Sequence, residues 1–291
     1  MDTAIPRYGS RQDRQRERQR AITDVVLAEG SVRIEHLAER FGISLMTVHR
    51  DLDELESRGV LRKSRGLATA TSTSLIESSG AYRASRQLAE KEALAVAAME
   101  FVEPGQALFL DDSTTVMHMA RHLPTKAPIT VITNFLTVIN ELSDERDVSL
   151  IALGGEFHKW CSAFMGRVTI EAIAGLRADM FIMSTAAVVD DVAFHQASLT
   201  ADTKKAMFAA SARRILLVDH TKFERRALHA VTPLSDFDAV IVDAATEPVH
   251  VRRLKDKGVR VVVASRSGRA RHVHDERPAA VEGAGTDRAG A

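Results

Sequence analysis

The sequence predicts a two-domain protein: a small N-terminal winged helix-turn-helix domain, then a three-layer α/β domain built on a mostly parallel sheet. Three observations carry this. Residues 31–70 hold two short amphipathic helical patterns split by a glycine and followed by a basic turn between extended pieces. Residues 82–264 alternate short, continuously apolar runs with helical patterns, as parallel strands covered on both faces do. Finally, 291 residues exceed what one small core needs.

In chain order, residues 1–18 read as a basic flexible arm; residues 1–20 carry six arginines against Asp2, Asp13 and Glu17. Ala21 to Glu29 is a first helix with Ile22, Val25 and Val26 inward and Gly30 as its stop. Ile34 to Arg40 is a second, with Leu37, Ala38 and Phe41 on its apolar side. Gly42 makes the turn, because positive φ is needed where a helix stops abruptly. Ser44 is a natural N-cap for a third helix, in which Val48, Leu52 and Leu55 bury one face and Gly59 ends the element. Its other face offers Thr47, His49, Arg50 and Asp53. Arg62-Lys63-Ser64-Arg65-Gly66 then forms a basic wing. This arrangement fits double-stranded DNA. Ser44, Thr47, His49 and Arg50 would face the major groove, and Arg62, Lys63 and Arg65 the phosphates. The domain therefore spans 19–70, and the Ser- and Thr-rich segment 71–81 reads as a linker.

Across residues 82–264 the pattern predicts a long helix from Tyr82 to Val102 and a strand at 107–110. A helix at 115–123, a strand at 129–132 and a helix at 135–142 follow. Further apolar runs at 148–153, 180–183, 215–218, 239–242 and 259–263 complete the sheet. Ligands of such sheets bind beyond the carboxyl ends of the strands. The residues standing there are Asp111, Asp112, Ser113, Thr114 and Thr115, then Thr133 and Asn134, Gly154 and Gly155, and Asp219 to Lys222. Hydroxyls, an amide, paired glycines and a lysine on one rim suit a polar, anionic small molecule at helix N-termini. Residues 265–291 carry Gly, Ala, Arg and Pro without periodicity and read as a disordered tail.

Both halves resemble the DeoR family of bacterial transcription regulators. The first resemblance rests on Leu37-Ala38 and Phe41, Ser44-x-x-Thr47-Val48-x-Arg50-Asp51-Leu52-x-x-Leu55 and Gly59-Val60-Leu61. The second covers nearly all of 82–264, through Asp111-x-x-Thr114-Thr115, Ile132-Thr133-Asn134, Gly154-Gly155 with Gly166, Lys204-Lys205-Ala206-Met207 and Asp219-x-x-Lys222-Phe223. The resemblance implies a sensor folded like ribose-5-phosphate isomerase and the coenzyme A transferases, a phosphorylated sugar or related metabolite as effector, and a repressor that oligomerises. It also places Lys204 at the effector. Where the family usually has two arginines, this chain has His49-Arg50; where it has His-Gly-Gly-Ala, this chain has Arg65-Gly66-Leu67-Ala68. Its usual Asp-Ser-Gly-Thr-Thr loop is here Asp111-Asp112-Ser113-Thr114-Thr115. A second carboxylate repels phosphate, so Asp112 favours sugar hydroxyls. His195, in a segment that departs from the family, is read as an effector contact.

Other classes fit poorly. No apolar run approaches the roughly 20 residues of a membrane span, and the amino terminus lacks the apolar core of a signal peptide. One cysteine, Cys161, gives no disulfide framework or zinc pattern and fits a reducing cytoplasm. His36, His49, His118 and His122 do not complete a metal set with it, and no dinucleotide or Walker loop occurs, so no cofactor is expected. Met117, Met119 and Met165 read as core filler, and Trp160 and Cys161 as packing near the rim. An isomerase-like enzyme with an appended DNA-binding domain is the alternative. Asp111, Asp219, Lys204 and Lys222 supply candidate groups but no base-plus-acid constellation. The sequence therefore reads as a non-enzymatic repressor of a carbohydrate or polyol operon, controlled by a sugar, polyol or sugar phosphate.

Overall fold

The structure is a computed structural model that describes residues 11–57, 60–70, 80–84, 86–265 and 270–272. Its first helix, α1 (Arg11–Glu29), begins ten residues before the expected one, so the expected flexible arm is helical from Arg11 onward. Polar ties explain the extension. Ile22, Val25 and Val26 enter the core, while Gln15 and Gln19 donate to Glu54 and Arg18 grips Asp51 with Nε and Nη2, at 2.5 and 3.1 Å.

After β1 (Ser31–Arg33) come α2 (Ile34–Phe41) and α3 (Leu45–Ser57), separated by Gly42 at φ +60°. Ser44 caps α3, its Oγ accepting from the Thr47 amide at 3.2 Å, an interaction worth about 1 kcal/mol. Gly59, the expected stop of this helix, lies outside the described residues. The wing is β2 (Leu61–Ser64) and β3 (Leu67–Ala70), paired antiparallel around a two-residue loop. Arg65 and Gly66 both have positive φ there, +50° and +77°, the pattern of a type I′ turn whose twist matches the strands.

The linker expected at 71–81 falls outside the description except for Gly80 and Ala81, which open α4 (Gly80–Ala84). The long helix expected over 82–102 is broken: Gln87, at φ +50°, turns a corner between α4 and α5 (Leu88–Ala98). The sheet then builds from β4 (Ala107–Leu110), β5 (Ile129–Thr133), α6 (Leu136–Leu142), β6 (Val148–Ala152), a hairpin of β7 (Glu156–His158) and β8 (Ala163–Met165), and α7 (Arg167–Ala174). It continues with β9 (Ala178–Ser184), β10 (Ala187–Val189), β11 (Val192–His195), α8 (Ser198–Ala209), β12 (Ser211–Val218), β13 (His229–Pro233), β14 (Ala239–Asp243), α9 (Pro248–Asp256) and β15 (Val261–Ala264). The helix expected at 115–123 is instead a run of 3-10 turns, Val116–Lys126, enclosing Pro124, which has no N–H to continue an α ladder. Within the expected disordered tail, β16 (Ala270–His272) adds an antiparallel edge to β15, using backbone pairing that needs no apolar pattern; residues 266–269 and 273–291 lie outside the described residues.

The main sheet runs β16-β15-β14-β12-β9-β4-β5-β6, with seven parallel strands. From β4 the chain steps outward through β5 to β6, then returns to the other side of β4 with β9. The switch point is thus the seam between β4 and β9. Alternate residues feed opposite cores: Leu108 and Leu110 pack with α5 and α6, Phe109 and Phe181 with the layer that includes Met207 of α8 and Leu254 of α9. Met119 and Met165 are fully buried and Met117 and Trp160 pack against the same core, as filler should. Two small sheets escaped sequence reading, the β7–β8 hairpin and β10-β11-β13.

Candidate functional site

On the N-terminal domain, α3 turns Val48, Leu52 and Leu55 inward and presents exposed Ser44 and Arg50 with half-exposed Thr47 and His49. Ser44 and Thr47 share a hydroxyl contact of 2.9 Å. The acidic side of α3 is answered inside the domain: Asp51 by Arg18, Asp53 by Lys63, and Glu56 by the Lys63 amide at 2.8 Å. Lys63 is therefore tied to the helix, whereas Arg62 and Arg65 stand exposed on the wing. Sequence reading missed two residues of this face. Leu45 and Met46 are 46% and 78% exposed at the start of α3, where apolar side chains meet thymine methyls in helix-turn-helix complexes.

In the C-terminal domain a cleft, open to solvent at its mouth, lies over the β4/β9 switch point. That is where open α/β sheets bind ligands. The loop after β4 contributes Asp112, Ser113, Thr114 and Thr115, and the end of β9 contributes Ser184, Thr185 and Ala186. His195 and Gln196 close one side; Asp219, Thr221, Lys222 and Arg225 close another. Thr114 and Thr115 stand immediately ahead of the 3-10 run, with Thr115 at its N-cap position.

Asp111 lies beneath this floor, 1% exposed, and staples the two central strands together. Its Oδ1 accepts from the Ser113 amide at 3.0 Å and hydroxyl at 2.5 Å, and its Oδ2 from the Ser184 amide at 2.9 Å and from Lys204 Nζ. Lys204, 2% exposed, also reaches the Ser184 carbonyl at 3.2 Å and Asp112 Oδ1 at 3.4 Å. One buried ammonium therefore serves both carboxylates. Burial would raise the Asp219 carboxyl, but the Lys222 charge and the Thr221 hydroxyl outweigh it and hold the group below the usual range. His195 Nδ1 accepts from the Ala197 amide at 3.2 Å, which leaves the proton of the neutral ring on Nε2. Gln196 has a buried side-chain oxygen without a hydrogen-bond partner.

Not every expected residue is here. Asn134 is fully buried and donates to the Phe164 carbonyl at 2.8 Å, holding β8. Gly154 accepts from the Thr169 hydroxyl at 2.7 Å, and Gly155, at φ +144°, leaves no room for a Cβ beside that side chain. They follow β5 and β6, one and two strands away from the switch point, and do not line this cleft. Conversely, Arg83, Arg86, Gln87 and Lys91 line the cleft from α4, the corner and α5. Two arginines ahead of a helical pattern were their only sequence signal. Lys91 is pulled down to about 7, first by burial and then by the charge of Lys222. In all, six cationic side chains line the cleft against two carboxylates, so the cavity suits an anion. Among the described residues no cluster of His, Cys, Asp and Glu could hold a metal ion.

Comparison with known proteins follows the same division. Residues 18–74 match the DeoR-like helix-turn-helix domain, and residues 86–244 the DeoR C terminal sensor domain. The chain is 31% identical over 246 residues to the glycerol-3-phosphate regulon repressor of Escherichia coli, covering 83% of this chain and 95% of that one. It is 29% identical to the transcriptional repressor AccR of Agrobacterium fabrum, covering 83% and 93%. It is 32% identical to a lactose phosphotransferase system repressor of Staphylococcus epidermidis, covering 76% and 89%. Among solved structures, ribose 5-phosphate isomerase A of Methanocaldococcus jannaschii superposes on 46% of this chain and 53% of its own, at 14% identity and TM-score 0.34. A superposition that partial says nothing about activity.

Proposed function

The chain belongs to the DeoR family of DNA-binding transcription regulators, and on that premise we propose that it represses a carbohydrate or polyol operon under control of a phosphorylated effector. The observation that carries the effector class is the charge of the cleft at the β4/β9 switch point. Six cations line it, and Asp112, the carboxylate that would repel phosphate, already faces Lys204. Lys222, Arg83 and Arg86 then meet the phosphate, and the amides of Thr114 and Thr115 add donors. His195 Nε2 and the unpartnered oxygen of Gln196 serve the hydroxyls of the carbon skeleton. We read the cleft as a sensor, because Asp111 and Lys204, the obvious acid–base pair for an isomerase, are locked on each other.

The operator is read by Arg50, Thr47, His49 and Ser44 together with Leu45 and Met46, and the wing contributes Arg62 and Arg65 to phosphates. One such helix spans few base pairs, so the protein acts as a homo-oligomer on paired half-sites. Among the described residues no helix is long and apolar enough to cross a membrane, which accords with a cytoplasmic place of action.

The test is a thermal-shift and calorimetric screen of sugars, polyols and their phosphates on the full chain, with operator mobility shifts in parallel. A phosphorylated compound should raise the melting temperature and alter operator affinity. Lys222→Ala should keep operator binding and lose that response. Stabilisation by the unphosphorylated partner alone would refute the effector class.

A further inference from the structure

Most of the cleft is built from loops at strand ends, but Lys91 reaches in from α5, one turn past the corner at Gln87. It is 3% exposed, and its Nζ donates to the backbone carbonyl of Arg83 in α4. Helix α4 packs against α1 of the DNA-reading domain, and its Gly80 amide is fastened to the Trp160 carbonyl of the sensor at 2.8 Å. A single side chain thus touches both the anion cavity and the short helix where the two domains meet. We infer that Lys91 couples anion occupancy of the cleft to the tightness of the joint between α4 and the corner at Gln87. This rests on the reading of the cleft as an anion sensor.

The physical basis is that Lys91 sits close to its titration point. Burial and Lys222 depress it; Asp219 opposes them, Arg83 and Arg225 add further positive charge, and His118 lies near enough to feel it in turn. With a pKa of about 7, the side chain carries its charge in about half of the molecules at neutral pH. A dianion entering the cleft favours the ammonium form. An ammonium holds the Arg83 carbonyl more strongly than an amine does, since charge-assisted hydrogen bonds are roughly twice as strong as neutral ones. Anion binding therefore takes up a proton and draws α4 onto α5. By reciprocity, any displacement of α4 weakens the anion.

Sulfate is the suitable probe, because its charge stays fixed from pH 6 to pH 8. The full chain is titrated with sulfate by calorimetry in buffers of different ionisation enthalpy, and amide hydrogen exchange of α4 and Gln87 is followed with and without sulfate. Binding should take up a sizeable fraction of a proton at pH 7, and affinity should fall up to about tenfold between pH 6 and pH 8. The amides of α4 and Gln87 should exchange more slowly in the complex. Lys91→Met should bind without proton uptake and without protecting the joint; Lys91→Arg, permanently charged, should protect it without proton uptake. Sulfate binding by the wild type without proton uptake, or uptake that persists in Lys91→Met, overturns the role of Lys91 and leaves the anion site standing. Absence of saturable sulfate binding, or binding indifferent to Lys222→Ala, overturns the anion-sensing reading itself and this inference with it.

Discussion

Replacing Lys204 by Met is expected to destabilise the sensor domain while preserving its packing volume. The side chain is 2% exposed and Asp111 beneath it is 1% exposed, so neither charge can turn to water. Methionine keeps most of the aliphatic stem. What disappears is the ammonium shared by Asp111, the Ser184 carbonyl and Asp112. Removing one partner of a buried pair costs about 3–5 kcal/mol, because the other charge is left uncompensated. In a domain of this size each kcal/mol lowers Tm by about 2–4 °C, so the drop should be on the order of 10 °C. Differential scanning calorimetry or urea denaturation of the full chain measures it. A Lys204→Met variant that melts with the wild type would refute the reasoning. Lys204 would then be a ligand contact rather than a staple.

On the DNA side, Arg50→Ala should weaken specific operator binding by about 1–3 kcal/mol in mobility-shift titrations. Arg62→Ala with Arg65→Ala should weaken binding to all sequences alike and flatten its salt dependence; a change confined to one operator would contradict that assignment. Gly155→Ala should cost about 1–3 kcal/mol of stability, since its Cβ would stand 2.1 Å from Thr169 Oγ1 and 2.7 Å from the Met165 carbonyl. Its effector affinity should stay at the wild-type level, and a loss there would return Gly155 to the site. For His220, burial lowers the pKa, but the 2.8 Å bond to Asp243 and that carboxylate's charge outweigh it, and the net shift is upward. A raised folded-state pKa gives stability that is complete below the unfolded value and is lost as pH rises through the folded one. The advantage of wild type over His220→Asn in urea should therefore shrink from about pH 5.5 to about pH 8, and an advantage that grows would reverse the sign of the argument.

The sequence displayed whatever depends on local chemistry. Apolar runs such as 107–110 and 239–242 are strands because both their faces are buried, and Gly42 and Ser44 mark the turn and cap by conformational need. The extension of α1 was illegible, since Arg18 and Gln19 pair with residues more than 30 positions away and leave no periodic trace. The strand-end rule gathered Asp112 to Thr115 and Lys222, which do line the cleft. It could not tell that Asn134 and Gly154 end strands set off from the switch point, because strand order is not written in any one strand. Arg83, Arg86 and Lys91 looked like the solvated side of one long helix. Only the left-handed corner at Gln87, a residue that seldom adopts it, turns them toward the cleft.

The seam between β4 and β9 has a kinetic meaning. Leu110 pairs with Ile182, and the Asp111 amide reaches the Ile182 carbonyl at 3.4 Å, across an intervening stretch that holds β5, β6, the hairpin and α7. Closing so long a loop is slow, because its entropy must be lost before the pairing repays it. The DNA-reading core draws its buried residues from Ile22 to Ala68 alone and needs no such closure. The two halves are therefore expected to fold at different times, the N-terminal core ahead of the middle of the sheet.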